Sequence, residues 1–408
     1  MQVNTGPRAG SPPSSWRTLP RGIWSLGLVS LCMDASSELV HSLLPVFMTA
    51  VLGASMITVG LIEGVAEAIA AFTRVLSGAL SDHFRRRKAL VVLGYGLALL
   101  AKPLFPMATS VAWVSAGRFT DRIGKGIRGA PRDALVADLT APGQRGAAYG
   151  LRQALDSVGA LLGPLLAVLL MLALANDLRA VLWVAVAPAA IAVLVLLTMV
   201  HEPARPPMPG SGRPPFTLAG AGHLPQRFWR IVLLGVVFTL ARFSEAFLVL
   251  RAQDLGVGLA FVPVIMIVMN LAYATAAYPA GAASDRIGRR RLLYAGMLAL
   301  VIADLALAFA VAPWQAYAGA ALWGLHMALT QGLLAALVAD AAPAALRGTA
   351  FGVFNLMTGI AVLLASVIAG LLWSTFGAAG TFLAGAAFAL LATTGLLAQP
   401  AQPRGIIR

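Results

Sequence analysis

The sequence has a single cysteine and few charged residues. One thiol, Cys32, excludes a disulfide framework and a cage of thiolate metal ligands. Charged residues make up only 11% of the 408 residues, whereas hydrophobic residues make up 59%. Soluble domains are typically about 25% charged and about 45–50% apolar. The composition therefore excludes a soluble globular protein and predicts an integral membrane protein.

Acidic residues are scarcer than basic ones. The 16 Asp and Glu residues stand against 30 Lys and Arg residues, which gives a formal net charge of +14. In a membrane protein such an excess indicates orientation, so we predict no nucleic-acid partner. The polar–apolar alternation of membrane β-strands is also missing, which favours helices.

Twelve apolar runs have the length of about 20 residues that a transmembrane helix needs. They are 22–49, 57–80, 89–108, 111–133, 145–171, 180–200, 231–251, 259–282, 291–312, 315–338, 348–373 and 379–398. Residues 201–229 contain seven prolines, a composition typical of a flexible linker. We predict an all-α membrane protein with two six-helix bundles, 22–200 and 230–398. The tails are then 1–21 and 399–408.

Basic residues predict the orientation of these spans. Of the 30 Lys and Arg residues, 21 lie at span ends on one side, and the opposite loops hold only Lys102, Arg179 and Arg251. Since Lys and Arg concentrate on the cytoplasmic side, both termini and the linker are predicted to be cytoplasmic. We expect a multi-pass protein of the cytoplasmic (inner) membrane.

The two halves carry the same short motifs. Gly78-Ala-Leu-Ser-Asp82 and the basic run after it recur as Gly281-Ala-Ala-Ser-Asp285, again followed by basic residues, at an offset of 203. Arg145-Gly146 recurs as Arg347-Gly348 at an offset of 202. Two matches at nearly one offset predict duplicated, pseudo-symmetric bundles with a ligand site between them.

These motifs resemble those of the major facilitator superfamily, and the resemblance covers essentially the whole chain. In that family the turns after spans 2 and 8 read Gly-x-x-x-Asp-(Arg/Lys)-x-Gly-Arg-Arg. The second copy is complete, whereas the first departs from it at His83 and Arg85. The resemblance implies cytoplasmic gating turns formed by Gly78, Asp82, Arg86, Gly281, Asp285, Arg286 and Arg289. The alternative is that the basic runs serve only as orientation signals.

Span 5 carries a glycine pattern similar to one that this superfamily shows chiefly in its exporters. Its members are Gly150, Gly159, Gly163 and Pro164, and Ala167 stands where the family has a final glycine. The resemblance is therefore to the proton-coupled drug and siderophore exporters. Ordinary close packing of small residues is the alternative explanation of this pattern.

Ionisable residues occur within several spans, where each costs at least a few kcal/mol and normally faces a cavity or an ion-pair partner. The family resemblance implies that spans 1, 4, 7 and 10 line a central cavity. It therefore points to Asp34, Glu38, Arg118, Asp121, Arg122, Arg242 and Glu245.

Asp34 or Glu38 is predicted to carry the proton and Arg118 to modulate it. Burial in a low-dielectric cavity favours a neutral carboxyl, and a nearby arginine favours a charged one. Asp121 and Arg122 depart from the uncharged pair of relatives, and static ion pairs between helices are the alternative role. We interpret Arg152 with Asp156 as a structural pair.

Three other polar or reactive side chains in the spans have simpler explanations. His41 and His326 lack partners at metal-ligand spacing, so we interpret them as hydrogen-bonding residues. Cys32 is expected to pack in the core. No metal site and no cofactor are predicted.

The predicted function is secondary active transport by alternating access, with proton-coupled export of a drug, siderophore or metabolite. The alternative is proton-coupled uptake of a small organic anion, and a sensor that binds without transporting is a third. Motifs of intramembrane enzymes and a nucleotide-binding loop are missing, so we predict no enzyme. The expected partners are the lipid bilayer, a small-molecule substrate and protons, with the protein acting as a monomer. The charges leave a cation, an anion or a zwitterion open as substrate.

Overall fold

The computed structural model describes residues 19–84, 87–141, 144–202, 222–343 and 346–397, and all regular structure within these ranges is helical. The first bundle contains six helices. They are α1 (Arg21–Val46), α2 (Met56–Phe84), α3 (Arg87–Ala101), α4 (Val111–Leu139), α5 (Arg145–Ala173) and α6, which has two parts (Leu178–Val184 and Val186–Met199).

The second bundle contains six further helices within the described residues. They are α7 in two parts (Gln226–Leu240 and Ala246–Asp254), α8 (Val264–Ile287), α9 (Arg289–Ala308), α10 (Pro313–Ala341), α11 (347–376) and α12 (378–397). Gly377 separates the last two with a φ of 73°, a left-handed conformation that glycine adopts without strain. The predicted all-α architecture of twelve helices in two bundles is confirmed.

Several helices continue past the ends predicted from hydropathy. We predicted ends at residues 80, 133 and 338 for spans 2, 4 and 10, whereas α2, α4 and α10 end at Phe84, Leu139 and Ala341. Hydropathy marks the edge of the apolar layer, but a helix continues into water as long as its backbone hydrogen bonds form. In the described ranges, seven helical segments are apolar and long enough to cross a membrane by composition alone.

The prediction of a continuous helix over 231–251 is wrong. Residues 241–245 are not helical, and this break in α7 contains Arg242 and Glu245. Backbone groups freed within a membrane need new partners, and the backbone N–H of Ser244 donates to Ser366 Oγ of α11 at 3.2 Å. Hydropathy does not detect such a break because the residues around it remain apolar.

The two ends of the molecule differ in how the bundles meet. Glu202, at the start of the predicted linker, accepts hydrogen bonds from the backbone N–H groups of Arg87 and Lys88, and we call this side the linker end. At the opposite end, the far end, apolar side chains of α7, α11, α1 and the turn directly after α1 join in one cluster that includes Phe47, Phe247 and Trp373. The bundles are therefore closed against each other at the far end.

Two helix pairs connect the bundles along their length. Gly60 of α2 lies directly on the backbone carbonyl of Ser366 in α11, which leaves no room for a Cβ atom. Asn270 Nδ2 of α8 donates to the carbonyl of Ala160 in α5 at 3.3 Å. These contacts lie on either side of the space between the bundles and define its walls.

Candidate functional site

A cavity of about 480 Å³ lies between the bundles. Its first-bundle wall comes from α1, α2, α4 and α5, and its second-bundle wall comes from Asn270, Tyr273 and Ala274 of α8. Asp133, which lines it near the linker end of α4, has a side chain 48% exposed. The cavity therefore reaches solvent at the linker end. The charged lining residues are Asp34, Glu38, Arg74, Lys125, Arg128, Arg132, Asp133, Arg152 and Asp156.

Asp34 and Glu38 stand one turn apart on α1, and both line this cavity. Within the described residues, Asp34 makes neither an ion pair nor a hydrogen bond. Glu38 Oε2 lies 3.4 Å from His41 Nδ1. The two carboxyl groups therefore differ in environment, since one is paired and the other faces the cavity without a partner.

The glycines of α5 press against the turn of α1 that carries these carboxyl groups. A Cβ atom on Gly159 would lie 2.5 Å from the carbonyl oxygen of Leu31, and one on Gly163 would lie 2.6 Å from that of Ala35. Gly150, by contrast, faces open space. The sequence predicted close packing at this motif but did not identify α1 as the helix that packs against it.

His41 connects the cavity to a buried ion pair. Its Nε2 lies 3.8 Å from Glu63 Oε2, and Arg118 Nη2 donates to the same oxygen at 2.5 Å. The side chains of Glu63 and Arg118 are only 1% and 2% exposed. Arg118 therefore does not line the cavity, and within the described residues its contacts connect it to Glu38 through Glu63 and His41. Its predicted role in modulating the proton-carrying acid stays a prediction.

A second buried pair lies next to the first. Lys102 Nζ donates to Asp121 Oδ1 at 2.8 Å and to Ser37 Oγ at 3.0 Å. We counted Lys102 with the basic residues of the loops because it lies near the end of span 89–108, but its side chain is 1% exposed and points into the bundle. Arg122 pairs with Glu67 at 3.3 Å. Asp121 and Arg122 thus bind partners within the first bundle.

The predicted pair on α5 lies in the cavity wall. Arg152 Nη1 lies 2.9 Å from Asp156 Oδ2 and 3.6 Å from Asp133 Oδ1. Arg132 approaches Asp156 at 3.8 Å. These four side chains form a largely neutralised group that joins α4 to α5.

The candidate residues of the second bundle lie elsewhere. Arg242 and Glu245 occupy the break in α7, and neither makes an ion pair within the described part of the chain. His326 Nδ1 lies 2.8 Å from the carbonyl oxygen of Gly296, a hydrogen-bonding contact. Asp304 is fully buried, and the described residues give neither of its carboxyl oxygens a partner.

The gating turns are described only in part. A Cβ atom on Gly78 would lie 3.4 Å from Ala130 of α4, and Gly281 is exposed. Arg86 and the side chains of the other predicted turn residues lie outside the described residues: Asp82, Asp285, Arg286 and Arg289. Their gating role stays a prediction.

Two residues of the network were not predicted to belong to it. The spacing places His41 on the same helix face as Asp34 and Glu38, but we interpreted it only as a hydrogen-bonding residue. Lys102 precedes Pro103 at the end of a span. No sequence signal distinguishes a loop lysine from one that turns back into the bundle.

The buried pair of Arg118 and Glu63 leads to a prediction about stability. Arg118→Met leaves Glu63 without its partner, which should destabilise the protein by about 3–5 kcal/mol. The double variant with Glu63→Gln should regain most of that loss because no buried charge remains at this position. Thermal melting in detergent compares the variants, and equal melting temperatures for the single and double variants would contradict the pairing.

Comparison with known proteins agrees with this architecture. A family model described as Major Facilitator Superfamily matches residues 26–250 and 231–406. The uncharacterized MFS-type transporter MJ1317 of Methanocaldococcus jannaschii is 34% identical over 389 residues, which are 93% of this chain and 95% of the relative. Multidrug resistance protein MdtH of Proteus mirabilis is 31% identical over 135 residues, which cover 33% of this chain and 32% of that protein.

A solved structure has the same fold. The crystal structure of a variant of the nucleoside transporter NupG aligns with a TM-score of 0.79 and 14% identity, covering 92% of this chain and 99% of that chain. At this identity the likeness concerns the fold alone.

Proposed function

The chain belongs to the Major Facilitator Superfamily and is a membrane transporter rather than an enzyme, and from this premise we propose that it is a proton-coupled exporter working by alternating access. The observation that carries the proposal is the cavity between the bundles with two carboxyl groups, Asp34 and Glu38, in its wall. Proteins of this architecture bind their substrates at the interface between repeats. We infer that the protein acts as a monomer, with the cavity as its substrate site.

The coupling step follows from the cost of enclosing a charge. A charged Asp34 or Glu38 holds water in the open cavity, and closing the cavity would remove that water at a cost of several kcal/mol. Protonation removes the charge and lets the empty cavity close around a neutral carboxyl. Glu38 Oε2 lies 3.4 Å from His41 Nδ1. Asp34 has no such partner within the described residues, so we propose that it takes the proton first.

The export direction has two supports. The α5 pattern similar to that of exporters lies directly against Asp34 and Glu38, and the partial relative MdtH is named a multidrug resistance protein. We propose that the linker end is cytoplasmic, because basic residues concentrate there. The cavity, open at the linker end, would then be ready to receive substrate from the cytoplasm.

Uptake of a small organic anion is a second candidate function. It is favoured by cationic side chains in the cavity wall, among them Lys125, for which the described residues provide no ion-pair partner. In uptake the proton and the anion move in the same direction, whereas in export they move in opposite directions. The sign of substrate-induced proton movement therefore separates the two functions.

Purified protein in liposomes with an internal pH dye tests the proposal. Pools of drugs, siderophores and organic acids are added outside while a pH gradient is imposed. We expect one pool to produce proton movement out of the vesicle as substrate enters, which is the sign of exchange. Movement of protons and substrate together would support uptake instead. Substrate flux without any proton movement would overturn proton coupling.

The proposed orientation is tested with reporter fusions. Green fluorescent protein at the C-terminus should fluoresce in the cytoplasm, whereas alkaline phosphatase at the same position should be inactive. Active phosphatase and a dark fluorescent fusion would reverse the orientation and place the open cavity on the outside.

A further inference from the structure

Three cationic side chains gather in one part of the cavity wall. Lys125 and Arg128 are three residues apart on α4 and so share a helix face. Arg74 of α2 joins them, since its Nε atom lies 3.3 Å from the position that a Cβ atom on Gly129 would take. All three line the cavity.

None of these three cations has an ion-pair partner within the described residues. Arg128 is only 4% exposed, its guanidinium stacks over the ring of Tyr95 at 4.6 Å, and its Nη1 atom has no hydrogen-bond partner in the described ranges. The other arginines of the first bundle's interior behave differently, because Arg118, Arg122 and Arg152 each pair with a carboxylate.

Within the described residues, no carboxylate lies within ion-pair distance of these three cations, and Glu67, Glu38 and Asp34 act on Lys125 from farther away. Asp133 and Asp156 pair with arginines of the wall, and Glu38 pairs with His41. Among the carboxylates that line the cavity, Asp34 has no ion-pair partner in the described ranges. Like charges placed close together repel one another, and a buried cation such as Arg128 costs a few kcal/mol at membrane depth without a counter-ion.

We propose that Arg74, Lys125 and Arg128 form an anion-binding site for the carboxylate or phosphate group of an acidic solute. The guanidinium groups offer paired N–H donors that match a carboxylate or phosphate, and Lys125 adds a point charge. Arg128 is held in place by Tyr95, so its donors are ordered before the ligand arrives.

The described residues of the opposite wall of the site are neutral. The second bundle contributes Asn270 and Tyr273, which can hydrogen-bond to a ligand and bring no charge. An acidic solute would therefore attach to the first bundle by its anionic group and meet Asn270 and Tyr273 with its remaining part. This proposal rests on the proposed function in one respect: it takes the cavity as the substrate site.

Charged thiol reagents test the site without knowledge of the substrate. Ser157→Cys introduces a thiol in the cavity wall, and Cys32→Ser removes the native one. The purified protein in detergent reacts with anionic sulfonatoethyl and cationic trimethylammonioethyl methanethiosulfonate. Ser110→Cys, exposed in a far-end loop, gives the reference ratio of the two rates. We expect the ratio of the anionic to the cationic reaction rate at Ser157→Cys to exceed the ratio at Ser110→Cys by at least about tenfold.

Substitutions assign the effect to the three cations. Arg74→Gln with Lys125→Gln and Arg128→Gln should bring the ratio back to the reference, whereas Lys88→Gln, outside the cavity wall, should leave it unchanged. Inorganic phosphate or malonate should slow the anionic reagent at Ser157→Cys and have no effect at Ser110→Cys. If the triple variant does not fold, the ratio of the two rates at Ser157→Cys with all three cations present still tests the anion site.

A ratio equal to the reference, a preference for the cationic reagent, or no reaction with either reagent would overturn the anion site. These outcomes are independent of the proton-flux assay. A cavity that favours anions in a protein without proton-coupled flux would keep the site and reject the proposed function. Proton-coupled flux in a protein whose cavity favours cations would keep the proposed function and reject the anion site.

Discussion

Asp34→Asn combined with Glu38→Gln should lower proton-driven substrate flux in liposomes by about a hundredfold or more, the size of effect expected when a positioned proton-transfer group is lost. Exchange of substrate across the same membrane without a pH gradient should persist. The two new side chains are neutral and have nearly the same shape as the native ones, so they imitate a cavity in which both carboxyl groups stay protonated. Such a cavity can close with or without substrate, but it can no longer bind and release protons.

The single variants separate the two acids. Asp34 faces the cavity and has no partner in the described part of the chain, whereas Glu38 is 3.4 Å from His41, which in turn lies 3.8 Å from Glu63. We expect Asp34→Asn to remove most of the proton coupling and Glu38→Gln to weaken it. Because Glu38→Gln also removes one of the two carboxylates beside His41, its effect should be reproduced in part by His41→Gln.

A matched substitution outside the cavity controls for expression and insertion. Asp177 caps α6 by accepting hydrogen bonds from the backbone N–H groups of Arg179 and Ala180, and asparagine caps helices equally well. Asp177→Asn should therefore leave flux unchanged. Normal proton coupling in both single variants and in the double variant would remove α1 from the mechanism.

Gly163→Ala should destabilise the protein by about 1–3 kcal/mol, the usual cost of overpacking, and should impair transport or make the protein leak. Its new methyl group would lie 2.6 Å from the carbonyl oxygen of Ala35 and 2.8 Å from Glu38 Cβ. Since neither the backbone of α1 nor that of α5 can yield alone, the two helices must separate at the turn that carries the proton site. Adding Pro164→Ala restores a backbone donor and should not recover the lost packing.

Gly150→Ala is the matched control on the same helix. Apart from the adjoining residues and backbone of α5 itself, no described atom lies within 4 Å of its new methyl group, and alanine favours helix formation over glycine. We expect unchanged flux and equal or higher thermal stability. Equal behaviour of Gly163→Ala and Gly150→Ala, by melting and by flux, would reduce the α5 pattern to ordinary helix packing.

The architecture was accessible from the sequence because hydropathy and duplication are both local signals. Apolar runs predicted twelve helices, and the repeat of Gly78–Asp82 at Gly281–Asp285 predicted two related bundles. The break at 241–245 was not accessible, since its stability depends on Ser366, a residue more than 120 positions away, that accepts the hydrogen bond of Ser244.

For the site, the sequence was sufficient to predict some of the residues but not how they pair. Spacing on α1 and α5 identified Asp34, Glu38 and Gly163 as a helix face and a small-residue patch. Pairing was not accessible, because the choice of Glu63 rather than Asp34 as the partner of Arg118 depends on how three helices rotate against one another. The burial of Lys102 has the same cause, since its partner Asp121 lies on a different helix.

The claim that one cavity opens in turn to both faces of the membrane is tested most directly at Ser157→Cys in the Cys32→Ser background. Membrane-impermeant thiol reagents are applied to intact cells and to inside-out vesicles. We expect labelling from both faces, although in the described residues the cavity reaches solvent at the linker end, and we expect pH to shift the ratio of the two rates. Labelling from one face alone, at every pH, would contradict alternating access and indicate a protein that binds without transporting.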